Sequence, residues 1–447
     1  MKLDWRTGDR VLVGKFLYDF PILRDHPPHR GDVAVFKYPK QPQINFSPMN
    51  YIKRLVGLPG ETIIIHYGKL YSLTGLSYDE SQIPVVERWE PPYMHSDDDR
   101  ALELFRQGKA DIVRKPPREM LAVHRLVYDN DFQAKDLAGK VQPRWAAAGG
   151  ANDWIPDNAE QPRVFKLQTA SDKNTSWLRY RNLIPDAYRQ KVHKELISDF
   201  MGYNTAETPE DLHQRKMREE DKQPVESPRN WVGDLMLECD VTVQSADGEL
   251  TLELSKGVDR FQARWNLATG QCTLYRINRN GTQQLDSRET SLKKPGTYRV
   301  RFADFDERLT VWVDHSLPFG DGVVYEPPLE RGPTPENDLE PASIGMKGGS
   351  ATVSHLKLWR DTYYTVNLNP SLPDAGVSVD FSDPSRWELL RDLKPRSFYV
   401  QPGHYLCFGD NSPESSDSRT WGMVPQRLLL GRALMIYYPF NRTGRIE

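Results

Sequence analysis

Between Leu235 and Val313, apolar residues return at every second position, in runs that restart roughly every ten residues. Leu235, Leu237, Cys239, Val241 and Val243 make the first run, and Leu250, Leu252 and Leu254 the second. Phe261, Ala263, Trp265 and Leu267 follow, then Tyr298, Val300 and Phe302, then Leu309, Val311 and Val313. Successive side chains of an extended chain point to opposite faces, so each run reads as a half-buried antiparallel strand. Repeated at this spacing, such strands are the signature of a β-sandwich. Asn280-Gly281 supplies a two-residue hairpin signal between two runs. The opening strands are expected earlier, around 120–128 and 164–179, which places the sandwich over 118–365.

A chain of 447 residues is long for one core, and its two ends have a different character. Val11 to Val13, Asp32 to Phe36, Tyr51 to Val56, Thr62 to Ile65 and Lys69 to Tyr71 are short β-branched and aromatic runs punctuated by Gly and Pro. The same pattern resumes at Phe398-Tyr399-Val400 and at Tyr405 to Phe408, and ends in the apolar run 428–438, which would complete the first sheet. The expected fold is therefore mainly β. Residues 1–75 plus 395–447 form a discontinuous domain around the inserted sandwich, with 76–117 and 366–394 as connections. Few helices are expected. One is capped at Ser96 to Asp99 and stopped by Gly108, one covers 185–197 with Tyr188, Val192 and Leu196 on a face, and one begins at Thr208-Pro209.

Two stretches of the end segments carry chemistry. Lys53 closes a short strand just before Gly57-Leu58-Pro59-Gly60, and the 409–422 loop gathers Asp410, Ser412, Ser415, Asp417, Ser418 and Arg419 between apolar runs. A lysine in water is protonated at neutral pH and useless as a base, but desolvation disfavours the cation. A serine hydroxyl can orient such an amine without supplying a counter-charge. An acid beside it would reprotonate it, so Asp417 is expected to pair with Arg419 or Arg54.

These same boxes, Gly8-Asp9-Arg10-Val11-Leu12-Val13, Arg30-Gly31-Asp32-Val33, the Lys53-Arg54 strand and Gly409-Asp410-Asn411 through Val424-Pro425, resemble bacterial signal peptidase I in the family's order. The resemblance covers about 8–72 and 396–440 and implies a β-rich serine-type endopeptidase with a Ser/Lys dyad. By motif, Lys53 matches the general base and Ser415 the hydroxyl that orients it. Asp410, Asp417 and Arg419 match the structural polar network of the loop, and Arg54 follows the base. The implied partners are signal peptides of exported preproteins and the membrane surface, with the site on the outer face of the cytoplasmic membrane. No metal or cofactor is implied. The family's nucleophilic serine box, which precedes the Gly-Asp-Arg-Val strand, has no counterpart here. Ser47 is the only serine before Lys53 and lies in a different context. No nucleophile is assigned within the chain, the sequence as it stands is expected to be inactive, and an upstream segment carrying anchor and serine is favoured over a variant without them.

The sandwich, through Leu309 to Asp314 and 342–361, resembles the concanavalin/laminin-G-like jelly rolls. By analogy alone, this opens it to a glycan or protein ligand. The alternative function is then a non-catalytic carbohydrate- or protein-binding protein on a peptidase-like scaffold. Trp265, Trp312 and Trp359 are read as packing residues. A net charge of −3 with no basic block excludes a nucleic-acid partner. No apolar run reaches membrane-spanning length. His124, His315, His355 and His404 lack metal-ligand spacing. Cys239, Cys272 and Cys407 are read as buried thiols, with a Cys239–Cys272 disulfide left open.

Overall fold

The computed structural model describes residues 8–15, 18, 27–39, 49–78, 97–148, 153–168, 170, 173–186, 191–200, 229–244, 246–367 and 372–446. Period-two alternation becomes two facing sheets in the middle of the chain. One runs Val323–Val324, Arg308–Val313, Gly296–Phe305, Leu235–Val243, Ala351–Arg360, Phe165–Leu167, Trp154–Pro156, with Arg125–Asp129 also on Ala351–Arg360. The other runs Gly281–Glu289, Gln271–Asn278, Asp259–Asn266, Glu249–Lys256, Ala342–Lys347, Ser176–Tyr180, Trp145–Ala147. The inward residues of both, among them Leu237, Val241, Leu252, Phe261, Trp265, Phe302 and Ile344, form one buried core. Side chains of two inner faces must interdigitate over about 10 Å, and these large apolar residues fill that gap.

Trp265 is fully buried, and Trp312 packs with Met120 and Phe305 beside the partly buried Trp359, so the tryptophans serve packing. The hairpin at Asn280 forms, with Asn278 paired to Gly281 and Arg279-Asn280 as its turn, one residue before the expected centre. Gly281 has φ +115, which explains the glycine. Cys239, Cys272 and Cys407 are all free and buried, so the disulfide left open does not exist.

The end segments build a separate, open sheet. Its order is Arg10–Gly14, Leu429–Tyr438, Val33–Lys37, Asn50–Gly57, His404–Phe408, Val424–Pro425, with Gly444–Arg445 on Leu429–Tyr438. Strands from the two ends of the sequence thus interleave. A smaller sheet, Arg396–Tyr399, Thr62–His66, Lys69–Leu73, Asp111–Ile112, carries the helix Asp99–Arg106, whose Ala101 packs on Ile64 and Tyr71. The helix is capped by Asp98, whose Oδ1 accepts from the amides of Arg100 and Ala101. Gly108 follows at φ +73.

The helix expected over 185–197 is absent. Leu183–Asp186 and Lys191–Lys194 form a hairpin instead, with Pro185 opposite Val192. The i, i+4 spacing was a coincidence of destinations: Val192 is exposed, while Leu196 lies beyond the strand, buried with Phe381 and Trp387. Ser96, Tyr188 and the helix expected from Thr208 lie outside the described residues. Among the described residues, no helix is long and apolar enough to cross a membrane.

Candidate active site

The strand Asn50–Gly57 lies between Val33–Lys37, where Lys53 pairs with Ala34, and His404–Phe408, where Arg54 pairs with Phe408. The 409–422 loop begins where His404–Phe408 ends, so it returns directly past Lys53. Lys53 Nζ lies 3.0 Å from Ser415 Oγ, a contact between residues 362 apart in sequence. Gly409 makes room for it: a Cβ there would strike Ser415 Oγ and come within 3.2 Å of Lys53 Nζ.

The apolar surround is aromatic. The Tyr51 ring centre is 5.9 Å from Lys53 Nζ, Tyr51 stacks on Tyr38 at 5.0 Å, and Trp421 abuts Tyr38, Tyr51 and Phe36. Burial in this setting lowers the Lys53 pKa below the ordinary lysine value. Asp417 and Asp410 pull it up and Arg419 pushes it down, and burial dominates.

The acids of the loop are already engaged. Asp417 is fully buried, meets Arg419 through two hydrogen bonds of 3.0 and 2.7 Å, and accepts from the amides of Gly409 and Arg419. Asp410 meets Arg54 through two bonds of 3.0 Å. Arg54 also donates to the Gly31 carbonyl. Burial works against the Arg54 cation and Asp410 more than offsets it, so its pKa stays above the usual value. Bidentate carboxylate–guanidinium pairs of this kind fix geometry as well as charge.

All six residues singled out by sequence, Lys53, Arg54, Asp410, Ser415, Asp417 and Arg419, come together here. Two partners were missed. Arg419 Nη1 donates to Ser412 Oγ at 2.6 Å and to Thr365 Oγ1 at 2.8 Å. Ser412 sits in the quoted loop, but Thr365 lies just past the sandwich with no local signal. Among the described residues Ser415 is the hydroxyl bonded to Lys53, and Ser47 lies outside them.

Sequence also missed a triad of carboxylates, Asp234, Asp306 and Asp361, close enough to share an ion. Lysines already neutralise it. Lys115 lies 2.6 Å from Asp306 and 2.8 Å from Asp361, and Lys256 lies 2.8 Å from Asp234. Lys69 of the strand Lys69–Leu73 reaches Asp234 at 3.3 Å and Glu307 at 3.2 Å, which makes the arrangement a salt-bridged junction between the sandwich and the peptidase-like half.

The ends of the chain carry a peptidase-S26-like fold with a β-sandwich inserted between them, and comparison with known proteins agrees. Residues 1–114 and 372–438 match the family described as signal peptidase, peptidase S26. Signal peptidase I of Pseudomonas aeruginosa is 46% identical over 70 residues, covering 14% of this chain and 23% of that protein. Signal peptidase I of Pseudomonas fluorescens is 39% identical over 140 residues, covering 30% and 44%. The chain thus spans less than half the length of either relative.

Solved structures resemble the chain more loosely. Carbohydrate-binding module CBM66 from Bacillus subtilis has a TM-score of 0.28 at 10% identity, over 48% of this chain and 96% of that one. A Bacillus subtilis protein of unknown function with a galectin-like fold reaches 0.30 at 10%, over 52% and 95%.

Proposed function

We propose that this chain holds the lysine half of a serine-type endopeptidase site of the signal peptidase I kind. Lys53 is the general base and Ser415 the group that orients it. The reading is carried by one observation: the amine is desolvated and bonded to an alcohol, while each nearby acid is paired with its own arginine. A neutral amine so placed would take the proton of an attacking serine and pass it to the leaving amine. Residues 50–53 extend past the His404–Phe408 ladder, with Ile52 and Met49 exposed beside them. An extended apolar peptide such as a signal peptide, presented at the outer face of the cytoplasmic membrane, would add to that edge.

The test is cleavage of a signal-peptide substrate by the full-length protein. Lys53→Ala should lower the rate by roughly 10²–10⁴-fold, the usual worth of a general base. Unchanged turnover would overturn the assignment.

A second reading, a binding protein on a peptidase-like scaffold, rests on the inserted β-sandwich, whose two facing sheets form a complete core of their own. Saturable binding on a glycan array by a full-length protein that cleaves nothing would establish it.

A further inference from the structure

The sandwich does not hang on a flexible tether. Its strand Ala351–Arg360 continues into residues 361–365, which run onto the base loop, and every one of these five is buried. The Asp361 amide bonds the Asp234 carbonyl, and its carboxylate holds Lys115. Thr362 Oγ1 donates to the Val123 carbonyl at 2.9 Å. The Tyr363 ring occupies the space a Cβ on Gly68 would need, and Gly68 is at φ +73. The Tyr364 amide bonds the Gly68 carbonyl, while its ring packs 5.6 Å from Phe408, the last residue before the loop. Thr365 then donates its amide to Ser412 Oγ at 3.0 Å and accepts from Arg419 Nη1 through both Oγ1 and its carbonyl.

A guanidinium has five donors in a fixed fork, so its position is set by all its acceptors together. For Arg419 these are Asp417, Ser412 and Thr365, and Thr365 alone lies outside the loop. We infer that Thr365 is a positioning residue for the Lys53 base, through which the inserted sandwich sets where the 409–422 loop sits. This rests on the proposed reading of Lys53. The groups facing the amine are Asp417, Arg419, Asp410, Cys407 and the Tyr51 ring. Without the Thr365 hydroxyl, Arg419 moves away from its place behind Asp417. The repulsion that Arg419 exerts on a Lys53 cation weakens, the pull of Asp417 strengthens, and water gains access. All three changes favour the protonated amine.

The measurement is the NMR titration of lysine Cε in the full chain, with the Lys53 signal identified by its loss in Lys53→Arg. Thr365→Val keeps the size and removes the hydroxyl, and should raise the Lys53 midpoint by about one unit, a tenfold change in the protonated-to-neutral ratio. Thr365→Ser should restore the wild-type midpoint, and Lys357→Met, on the outer face of the sandwich paired with Asp129, should leave it unmoved. Should Thr365→Val not fold, Thr365→Cys, with a weak acceptor in place of a strong one, should give a smaller rise. A wild-type Lys53 titrating among ordinary lysines would overturn the base reading and this inference with it. A depressed wild-type midpoint that neither Thr365→Val nor Thr365→Cys shifts would overturn the inference alone.

Discussion

Lys53 and Lys115 are the same side chain in two buried settings, and their proton affinities move in opposite directions. Lys53 meets an alcohol, and the acids around it are held by Arg54 and Arg419. Burial lowers its pKa. Lys115 meets Asp306 and Asp361 directly, and although burial opposes the cation, the two carboxylates raise its pKa well above the usual value. Lys69 and Lys256 share Asp234 and Glu307 in the same way. Burial alone therefore does not make a lysine basic or neutral. What decides is whether the neighbouring acids have been given to arginine.

The contrast can be broken most directly at the junction. Lys115→Met strands two buried carboxylates, and the loss should be about 3–5 kcal/mol in chemical denaturation. A loss under about 1 kcal/mol, typical of an exposed pair, would mean that the junction is solvated.

Ser415→Ala comes next. It removes one hydrogen bond from Lys53 and transfers no proton, so cleavage should fall by about tenfold at most, well short of the effect of Lys53→Ala. Equal losses would give Ser415 a larger part than orientation.

The pH dependence sharpens the contrast further. A depressed lysine weakens the fold while it is forced to carry a proton, below its folded pKa. That penalty is relieved as pH rises through the folded value toward the unfolded one near 10.5. Lys53→Met should thus raise the melting temperature at pH 7, and its advantage should shrink toward pH 10.5. Lys115 has the opposite sign, its stabilisation being present below the unfolded value and lost as pH climbs toward the raised folded one. Thermal melts from pH 7 to 10.5 should therefore bring Lys53→Met down toward wild type, while the Lys115→Met deficit holds across that range and shrinks only above 10.5. The smallest effect belongs to Arg279→Ala in the exposed Arg279–Glu330 pair, within about 0–1 kcal/mol.

Much of this was legible in the sequence wherever local pattern and destination agree. Leu235 to Val243 alternate because one face of their strand meets the opposing sheet, and the structure keeps that register through Leu237, Cys239 and Val241. The Lys53 strand and its loop were legible for a different reason: hydroxyls, acids and arginines crowd into a short segment whose chemistry is specific. The 183–194 hairpin was not legible, because Val192 and Leu196 share a helical spacing but go to different places. Nor was Thr365 or the Lys115 junction, whose partners lie 54 and 191 residues away. Local spacing carries no signal at such range.

The bond between residues 53 and 415 also orders events in time. During synthesis the lysine strand appears early, together with Tyr38 and Tyr51, while Ser415 and Trp421 appear after the sandwich has been made. Until the later segment returns between its neighbours, the amine lacks its alcohol partner and the Trp421 side of its aromatic surround. The setting that lowers its proton affinity is complete only once the 409–422 loop has docked.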